Sequence, residues 1–580
     1  MTFTLTASLR RFLTLSNSKI PKSQTIFWFS LSLTFALIYA WLGLQEAFSS
    51  EYVVQDDARQ HVFWMQRFID QALLKDDLIA DYFQSVAPAG YTTVYQLVAN
   101  LGINPLLFNK FLPLGLGLIT TSYCFVVCLE MLPVPACGFM ASLLLNQTLW
   151  MDDDLVSGTS RAFFYVLLLA FLYYLLRRSL LPCLGAIALQ GLFCPQCVFL
   201  STGVLCLQLL QWEAGKVKLS GHRRDYWFCA TGLAVALLVL LPYALTTSQF
   251  GPTISVAQAK ALPEFFPGGR ASFFNEEPRQ FWLKDDRSGM LSRLKRLPIS
   301  LSLGLLLPIL LKYTSFFPLA KKVTGKTIVL AQLMLVSLGL FFLAHAVLFK
   351  LHLPSRYTKH SLRITLAISA AIVLIILLDA ILDACQKYRR KGRQSLVLGA
   401  VGLIFFALIL YPPFLSNFPK TNYTRGKIPA MYEFFAQQPK DILIASVAQE
   451  ADNLPTFSAR SVLVSREYGI PYHTGYYNQF RQRAIDLVKA QYSPNLTDVQ
   501  NFIKKYGIDF WLIEERAFSP DYIANSWIRQ FQPVATEAQT SLAQGTTPAL
   551  LNLGDRCSVF KSRGFVVLEA KCISELIIDN

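Results

Sequence analysis

Apolar residues along this chain gather in long, nearly uninterrupted blocks, not in the one-sided stripe of a helix with a wet face. The blocks lie at 26–44, 111–131, 133–150, 161–180, 181–193, 195–211, 226–246, 298–318, 327–349, 362–383 and 396–414. At roughly 20 residues per crossing they predict about eleven membrane spans, three of them short. The short ones are 133–150, 181–193 and 195–211. Arg10, Arg11, Lys19 and Lys22 precede the first block, and no small-residue cleavage site follows it, so it reads as an uncleaved span.

The polar stretches between the blocks set an orientation. With the N-terminus in the cytoplasm, the short-loop basic clusters all fall inside: Arg10/Arg11/Lys19/Lys22, Arg177/Arg178, Lys216/Lys218/Arg223/Arg224, Lys321/Lys322/Lys326 and Lys387/Arg389/Arg390/Lys391/Arg393. That is what the positive-inside rule demands. The outer segments are then 47–110, 151–160, 247–297, 350–361 and everything after about 415. The net charge of +16 is accounted for by orientation, and no nucleic-acid partner is expected. With 53% hydrophobic and 16% charged residues, the composition excludes a disordered chain, a disulfide scaffold and an ordinary soluble enzyme. Most of the eleven Cys sit in apolar blocks, where they behave as small hydrophobes. Cys194-Pro195-Gln196-Cys197 has redox or metal spacing but no companion pair, and reads as a Pro-marked helix break.

After Pro412-Pro413 charges return at soluble density, dividing the chain into a membrane domain (1–415) and an outer domain (416–580). Within the latter, 441–447, 461–465, 509–514 and 565–570 read as strands, and 480–491 and 496–506 as helices. Thr497 with Gln500 fits a capping box, Gly507 a helix stop, and Ser519-Pro520 a helix start. This alternation predicts a small α/β domain, without a Gly-rich phosphate loop. Cys557 and Cys572 lie where a disulfide is permitted, though spacing does not establish one.

Three outer segments carry candidate chemistry. Just past the first span stands Asp56-Asp57-Ala58-Arg59-Gln60-His61, followed by a stripe of Val62, Met65 and Ile69 expected to lie along the membrane surface. Adjacent carboxylates there can act as a general base or hold a divalent cation; the alternative is a solvated acidic loop. Asp152-Asp153-Asp154 form the next outer loop, where they repel one another unless a cation or Arg161 balances them. Lys350, Arg356, Lys359 and Arg363 stand outside, against the charge trend. They invite an anionic partner such as a lipid phosphate or pyrophosphate, with headgroup contacts as the alternative. The long segment 247–297, with Arg270, Arg279, Lys284 and Arg287, suits a lid.

These motifs together resemble the GT-C superfamily of polytopic glycosyltransferases, which includes protein O-mannosyltransferases, lipid A aminoarabinose transferases and oligosaccharyltransferase catalytic subunits. Asp56-Asp57-Ala58-Arg59 looks like the family's Asp-Glu-x-Arg/His pattern, and Asp152–Asp154 like its second acidic loop. Arg356-Tyr357 is similar to the Arg-Tyr element of bacterial members, and Lys505-Tyr-Gly-Ile-Asp-Phe-Trp511 to part of their outer domain. The chain departs from the pattern in having Asp57 where several relatives have Glu. It also lacks a Trp-Trp-Asp-Tyr-Gly element, which argues against an oligosaccharyltransferase proper.

The resemblance implies a mainly α membrane protein of about eleven transmembrane helices of GT-C type plus a C-terminal α/β extracytoplasmic domain, multi-pass in the plasma (inner) membrane. It implies hexosyl or pentosyl transfer from a polyprenyl-phosphate-linked sugar to a glycan, lipid or protein acceptor on the extracytoplasmic face. Asp56 and Asp57 would be catalytic, Asp56 as general base, while Arg356 and Lys359 meet the departing phosphate. Arg59, His61, Asp153, Asp154, Arg161, Tyr357 and Arg363 complete the implied binding set. A divalent cation (Mg or Mn), if one is used, would sit on Asp57 and Asp153. Two rival classes are a transporter or flippase of lipid-linked sugars, for which no clear internal repeat is visible, and a non-catalytic membrane assembly protein.

Overall fold

The computed structural model describes residues 2–14, 21–213, 216–245, 249–292, 298–387, 391–415 and 418–576. Lys19, Arg389 and Arg390 of the basic clusters lie outside the described residues.

Every apolar block coincides with a helix. Five helices have the length and composition to cross a membrane: Lys22–Ala47, Pro105–Met131, Arg223–Leu245, Gly325–Ala346 and Ser355–Lys387. Shorter apolar helices are Ser160–Leu176, Leu180–Phe193, Pro195–Leu207, Ser300–Lys312 and Leu398–Leu410, and Pro135–Trp150 is buried along its whole length. The chain is thus a multi-pass membrane protein. Helix Ser355–Lys387 is the central member, with 72% of its most apolar window covered by protein. It packs against Pro135–Trp150, Ile328–Ala346 and the turns of Ile299–Leu306. The Cys194–Cys197 segment is a break: Cys194 ends one helix and Pro195 opens the next.

The two ends of the bundle differ. At one, Arg10 of the N-terminal helix Thr2–Thr14 reaches Asp379 at 2.8 Å and also pairs with Asp383. Lys326 pairs with Glu130 at 2.5 Å, and Arg178 with Asp225 at 3.1 Å. At the other end the remaining polar segments build one body. Strand Val53–Gln55 pairs antiparallel with Tyr423–Arg425, so the first loop and the start of the C-terminal region share backbone hydrogen bonds. The C-terminal sheet has five strands in the order Ser461–Val462, Leu443–Ala445, Phe510–Glu514, Phe565–Glu569 and Ser558–Ser562. Its first three strands run parallel and its last two antiparallel. One apolar core runs without interruption from the bundle into this sheet.

Two local expectations are corrected. Thr497 and Gln500 do not form a capping box: Asn495 is the cap of helix Leu496–Tyr506, and Gln500 donates instead to the Ile573 and Leu576 carbonyls. Gly507 does end that helix, in the left-handed conformation. Val62 and Met65 do not face lipid. They are fully buried, in a turn whose Gln66 donates to the Pro455 carbonyl and whose Phe63 packs on Tyr468. An apolar stripe has the same sequence whether lipid or protein covers it. The segment 250–292, read as suiting a lid, lies docked on its neighbours, which leaves that reading open. Ile254 N–H donates to Tyr472 O at 2.9 Å, and Arg270 pairs with Glu467 at 2.7 Å. Ser355 N–H donates to Arg287 O at 3.2 Å.

Cys557 and Cys572 are bonded, with Cα atoms 5.6 Å apart, and tie the edge strand Ser558–Ser562 to the last helix. Closing a loop of 15 residues stabilises by about 3 kcal/mol in the chain-entropy account. Replacing both Cys by Ser should lower the unfolding midpoint of the C-terminal region and make it indifferent to reductant. Thermal melts with and without dithiothreitol check this.

Candidate functional site

The site forms where the bundle's polar end meets the C-terminal region. Strand Val53–Gln55 delivers Asp56 and Asp57 into a turn held by backbone: Asp56 N–H donates to Asn422 O at 3.1 Å, and Asp57 N–H to Gln55 Oε1 at 2.8 Å. One helical turn, Ala58–His61, then carries Arg59 back over Asp56, which accepts from its guanidinium. Arg59 also donates to Asn453 Oδ1 at 3.0 Å and lies 3.5 Å from Glu467. Burial alone would lower the Arg59 guanidinium, but Glu467, Asp452 and Asp56 outweigh it and hold it charged.

Between helices Pro135–Trp150 and Phe163–Leu176 the chain makes a buried acidic turn. Gly158 closes it at φ +58°, where a Cβ would strike the Asn109 amide that donates to Ser157 O at 2.8 Å. Asp152, Asp153 and Asp154 are all buried, and their oxygens lie within 4.8 Å of one another, close enough to hold a metal ion.

Side-chain cations also stand among these carboxylates. Lys359 Nζ is 2.9 Å from Asp152 and 2.7 Å from Asp154. Arg363, four residues on along the same helix face, lies 3.3 Å from Asp154 and also pairs with Asp152. Arg161 contacts Asp57 and lies 3.4 Å from Asp153 and 3.6 Å from Asp154. Asn422 donates to Asp153 at 2.6 Å. Burial would raise the Asp154 carboxyl, but Lys359, with His360 and Arg363, brings it down to about 2.

The structure therefore brings Asp56, Asp57, Arg59, Asp153, Asp154, Arg161, Lys359 and Arg363 into one continuous network. It separates others. Tyr357 is buried, its hydroxyl donating to Leu351 O at 2.8 Å within the preceding turn. His61 leans edge-on against Phe83 with ring centroids 5.6 Å apart. It stands within the field of Arg270 and Arg356; burial first, then those two charges, push its imidazole down to about 4. Arg356 is half-buried at the start of helix Ser355–Lys387. Next to it, Phe349 and His352 both hold positive φ in a tight turn.

Sequence reasoning missed Asn422, Glu467, Asn453 and Tyr165. Tyr165 OH meets His360 Nδ1 at 2.9 Å and receives a hydrogen bond from Arg363 at 3.2 Å. None carries a local motif: Asn422, Asn453 and Glu467 sit among other polar residues, Tyr165 among apolar ones, and the fold brings each in from afar. His360 could have been found, since it adjoins Lys359 in the polar first turns of a helix that continues as an apolar span.

No family model matches the sequence, and no curated protein matches it significantly. Solved structures do. The apo oligosaccharyltransferase of Archaeoglobus fulgidus superposes with a TM-score of 0.53 at 10% identity, covering 90% of this chain and 73% of that one. The same enzyme tethered to an acceptor peptide containing an Asn-Val-Thr sequon gives 0.51 at 10% identity, over 87% of this chain and 72% of that one. Its complex with an inhibitory peptide and a dolichol-phosphate gives 0.50 at 9% identity, over 94% and 75%. At such identity the likeness is one of fold alone, shared with this oligosaccharyltransferase.

Two outcomes are expected from this geometry. Asp154→Asn removes one partner of a buried charge set and should cost about 3–5 kcal/mol, read as a lower melting temperature in detergent. His61 carries a depressed pKa, so the unfolded chain binds its proton first. Its contribution to stability is complete above about pH 6.5 and is lost as pH falls towards 4. His61→Gln should flatten the melting temperature against pH across that window.

Proposed function

We propose that the chain is a membrane glycosyltransferase that moves a sugar from a polyprenyl-phosphate-linked donor to an acceptor on the extracytoplasmic face. Residues 1–415 supply the chemistry, and 416–580 wall the site from outside. The observation that carries this reading is the gradient of exposure among the carboxylates. The side chains of Asp152 and Asp154 are 1% and 0% exposed, Asp153 8%, Asp57 25% and Asp56 43%. Asp56 is the most open of these carboxylates and is held in place, by Arg59 from the side and by Asn422 through its backbone.

A hydroxyl or amide attacks better as its proton leaves, and Asp56 is the group positioned to take that proton. Asp57, paired with Arg161, fixes the turn on which Asp56 stands. The donor's bond to its phosphate breaks more readily when the departing charge is met, and Arg356 is the cation at the rim of the site for that task. Its planar fork suits a phosphate. Charge locked by pairing at helix ends, instead of spread along the spans, favours transfer over transport. The disulfide at Cys557–Cys572 supports placing this end of the bundle outside the cytoplasm.

Asp56→Asn should insert and melt like the wild type, since the side chain is half open, yet lose transfer by about a hundredfold to ten-thousandfold. Arg356→Ala should lower turnover by about a hundredfold or more. Mass spectrometry of lipid extracts and surface glycans at matched protein levels decides. Build-up of a polyprenyl-phosphate sugar with loss of one glycan supports the reading and names the donor. Full activity of Asp56→Asn overturns the assignment of the base.

A further inference from the structure

The carboxylates that a divalent ion would use are already occupied by side chains of the chain itself. Two positions for an ion can be drawn from the sequence and the geometry. One lies between Asp57 and Asp153. There Arg161 contacts Asp57 and lies 3.4 Å from Asp153. The other lies among Asp152, Asp153 and Asp154, whose oxygens fall within 4.8 Å of one another. There Lys359 Nζ stands 2.9 Å from Asp152 and 2.7 Å from Asp154, hydrogen-bonding distances for an ammonium between two carboxylates. Lys359 is itself 2% exposed, and Arg363 closes the inner side at 1%. Helix Ser355–Lys387 carries both cations one turn apart, so they enter the acidic turn together and cannot swing away without leaving charges unpaired in the protein interior.

We infer that Lys359 is a built-in cation that takes the place of a divalent metal in the acidic turn, so that the site assembles without a bound ion. Hard divalent ions need several oxygen ligands at once. Here Asp152 and Asp154 give theirs to Lys359 and Arg363, while Asp153 gives its own to Arg161 and to the Asn422 amide at 2.6 Å. An ion entering this turn would meet an ammonium and two guanidinium groups before it met a free lone pair. The inference concerns how the turn is held together. It rests on the transferase reading only for the further expectation that transfer proceeds without added metal.

The test uses the full-length protein in detergent and does not depend on activity. The wild type, purified with EDTA and then dialysed, should carry no stoichiometric Mg, Mn, Ca or Zn by elemental analysis. Its melting temperature should be the same in EDTA, Mg2+ and Mn2+. Lys359→Met should melt lower, regain several degrees in Mn2+ or Mg2+ and lose them again in EDTA, because the vacated carboxylates then offer the ion their oxygens. A wild type that carries a stoichiometric ion and melts lower in EDTA overturns the inference. So does a folded Lys359→Met protein indifferent to both ions. Should Lys359→Met fail to fold, the wild-type measurements decide alone. If the wild type is indifferent to metal yet removal of the protein leaves lipid-linked sugars and surface glycans unchanged, the transferase reading fails and the built-in cation stands.

Discussion

The interior of this protein depends on a set of charges that have no business in a membrane unless they meet. Asp152, Asp153 and Asp154 are consecutive and buried, and so are Lys359 and Arg363, on a helix whose middle is apolar and covered. Either group alone would be prohibitive to bury, since the desolvation of an unpaired charge amounts to several kcal/mol after relaxation. Together they satisfy one another, and the geometry of that satisfaction fixes the rest. Lys359 can lie between Asp152 and Asp154 at only one depth of helix Ser355–Lys387. The ion pairs therefore set the register of the central helix against Pro135–Trp150, a task that uniform apolar packing performs poorly because sliding one apolar surface along another changes little.

The same network carries register outward. Asp153 is tied to Asn422, whose carbonyl receives Asp56 N–H, and the strand before Asp56 pairs with Tyr423–Arg425. Arg59 continues the chain to Asn453 and Glu467, and Glu467 to Arg270 of the long outer segment. That segment returns to helix Ser355–Lys387 through Arg287 and Ser355, one residue before Arg356. The candidate base and the candidate phosphate cation thus stand at two points on one closed loop of contacts. A displacement of the C-terminal region would be felt by both.

The span positions were legible because an apolar block long enough to cross a bilayer has few other uses, and the site's first element because Asp56, Asp57 and Arg59 are local to one another. Arg161 was legible as the near balance for the acidic turn. What local sequence could not give was depth. Lys359 and Arg356 look alike in the sequence, two outward cations on one helix start, yet one turns inward to the acidic turn and the other stays at the rim. Three residues apart on a helix they share a face, so what separates them is depth: Arg356 stands in the first turn and Lys359 about one turn further in, at the level of the acidic turn, and that level is decided by the bundle, not by the residues themselves. Glu467 and Asn422 were illegible for another reason: they reach the site only through the fold of the C-terminal region. The Val62–Met65 stripe misled because burial by protein and burial by lipid impose the same pattern.

This division of cations has a chemical consequence. A charge that meets a departing phosphate must be able to gain a partner in the transition state, which a fully engaged one cannot do without abandoning another. Were Lys359 to turn to the donor, Asp152 and Asp154 would each lose a partner in a site that water does not reach, at a cost comparable to breaking a buried ion pair, about 3–5 kcal/mol. Among the described residues Arg356 has no such tie to the acidic turn, and it is half-buried at the start of its helix. On the carboxylate side the logic repeats. Asp152, Asp153 and Asp154 are committed inward, Asp57 is committed to Arg161, and Asp56 keeps one face open. Burial thus sorts like residues into different positions: the pairs that hold the site together are those water cannot reach, and the candidate base belongs to the pair that it can.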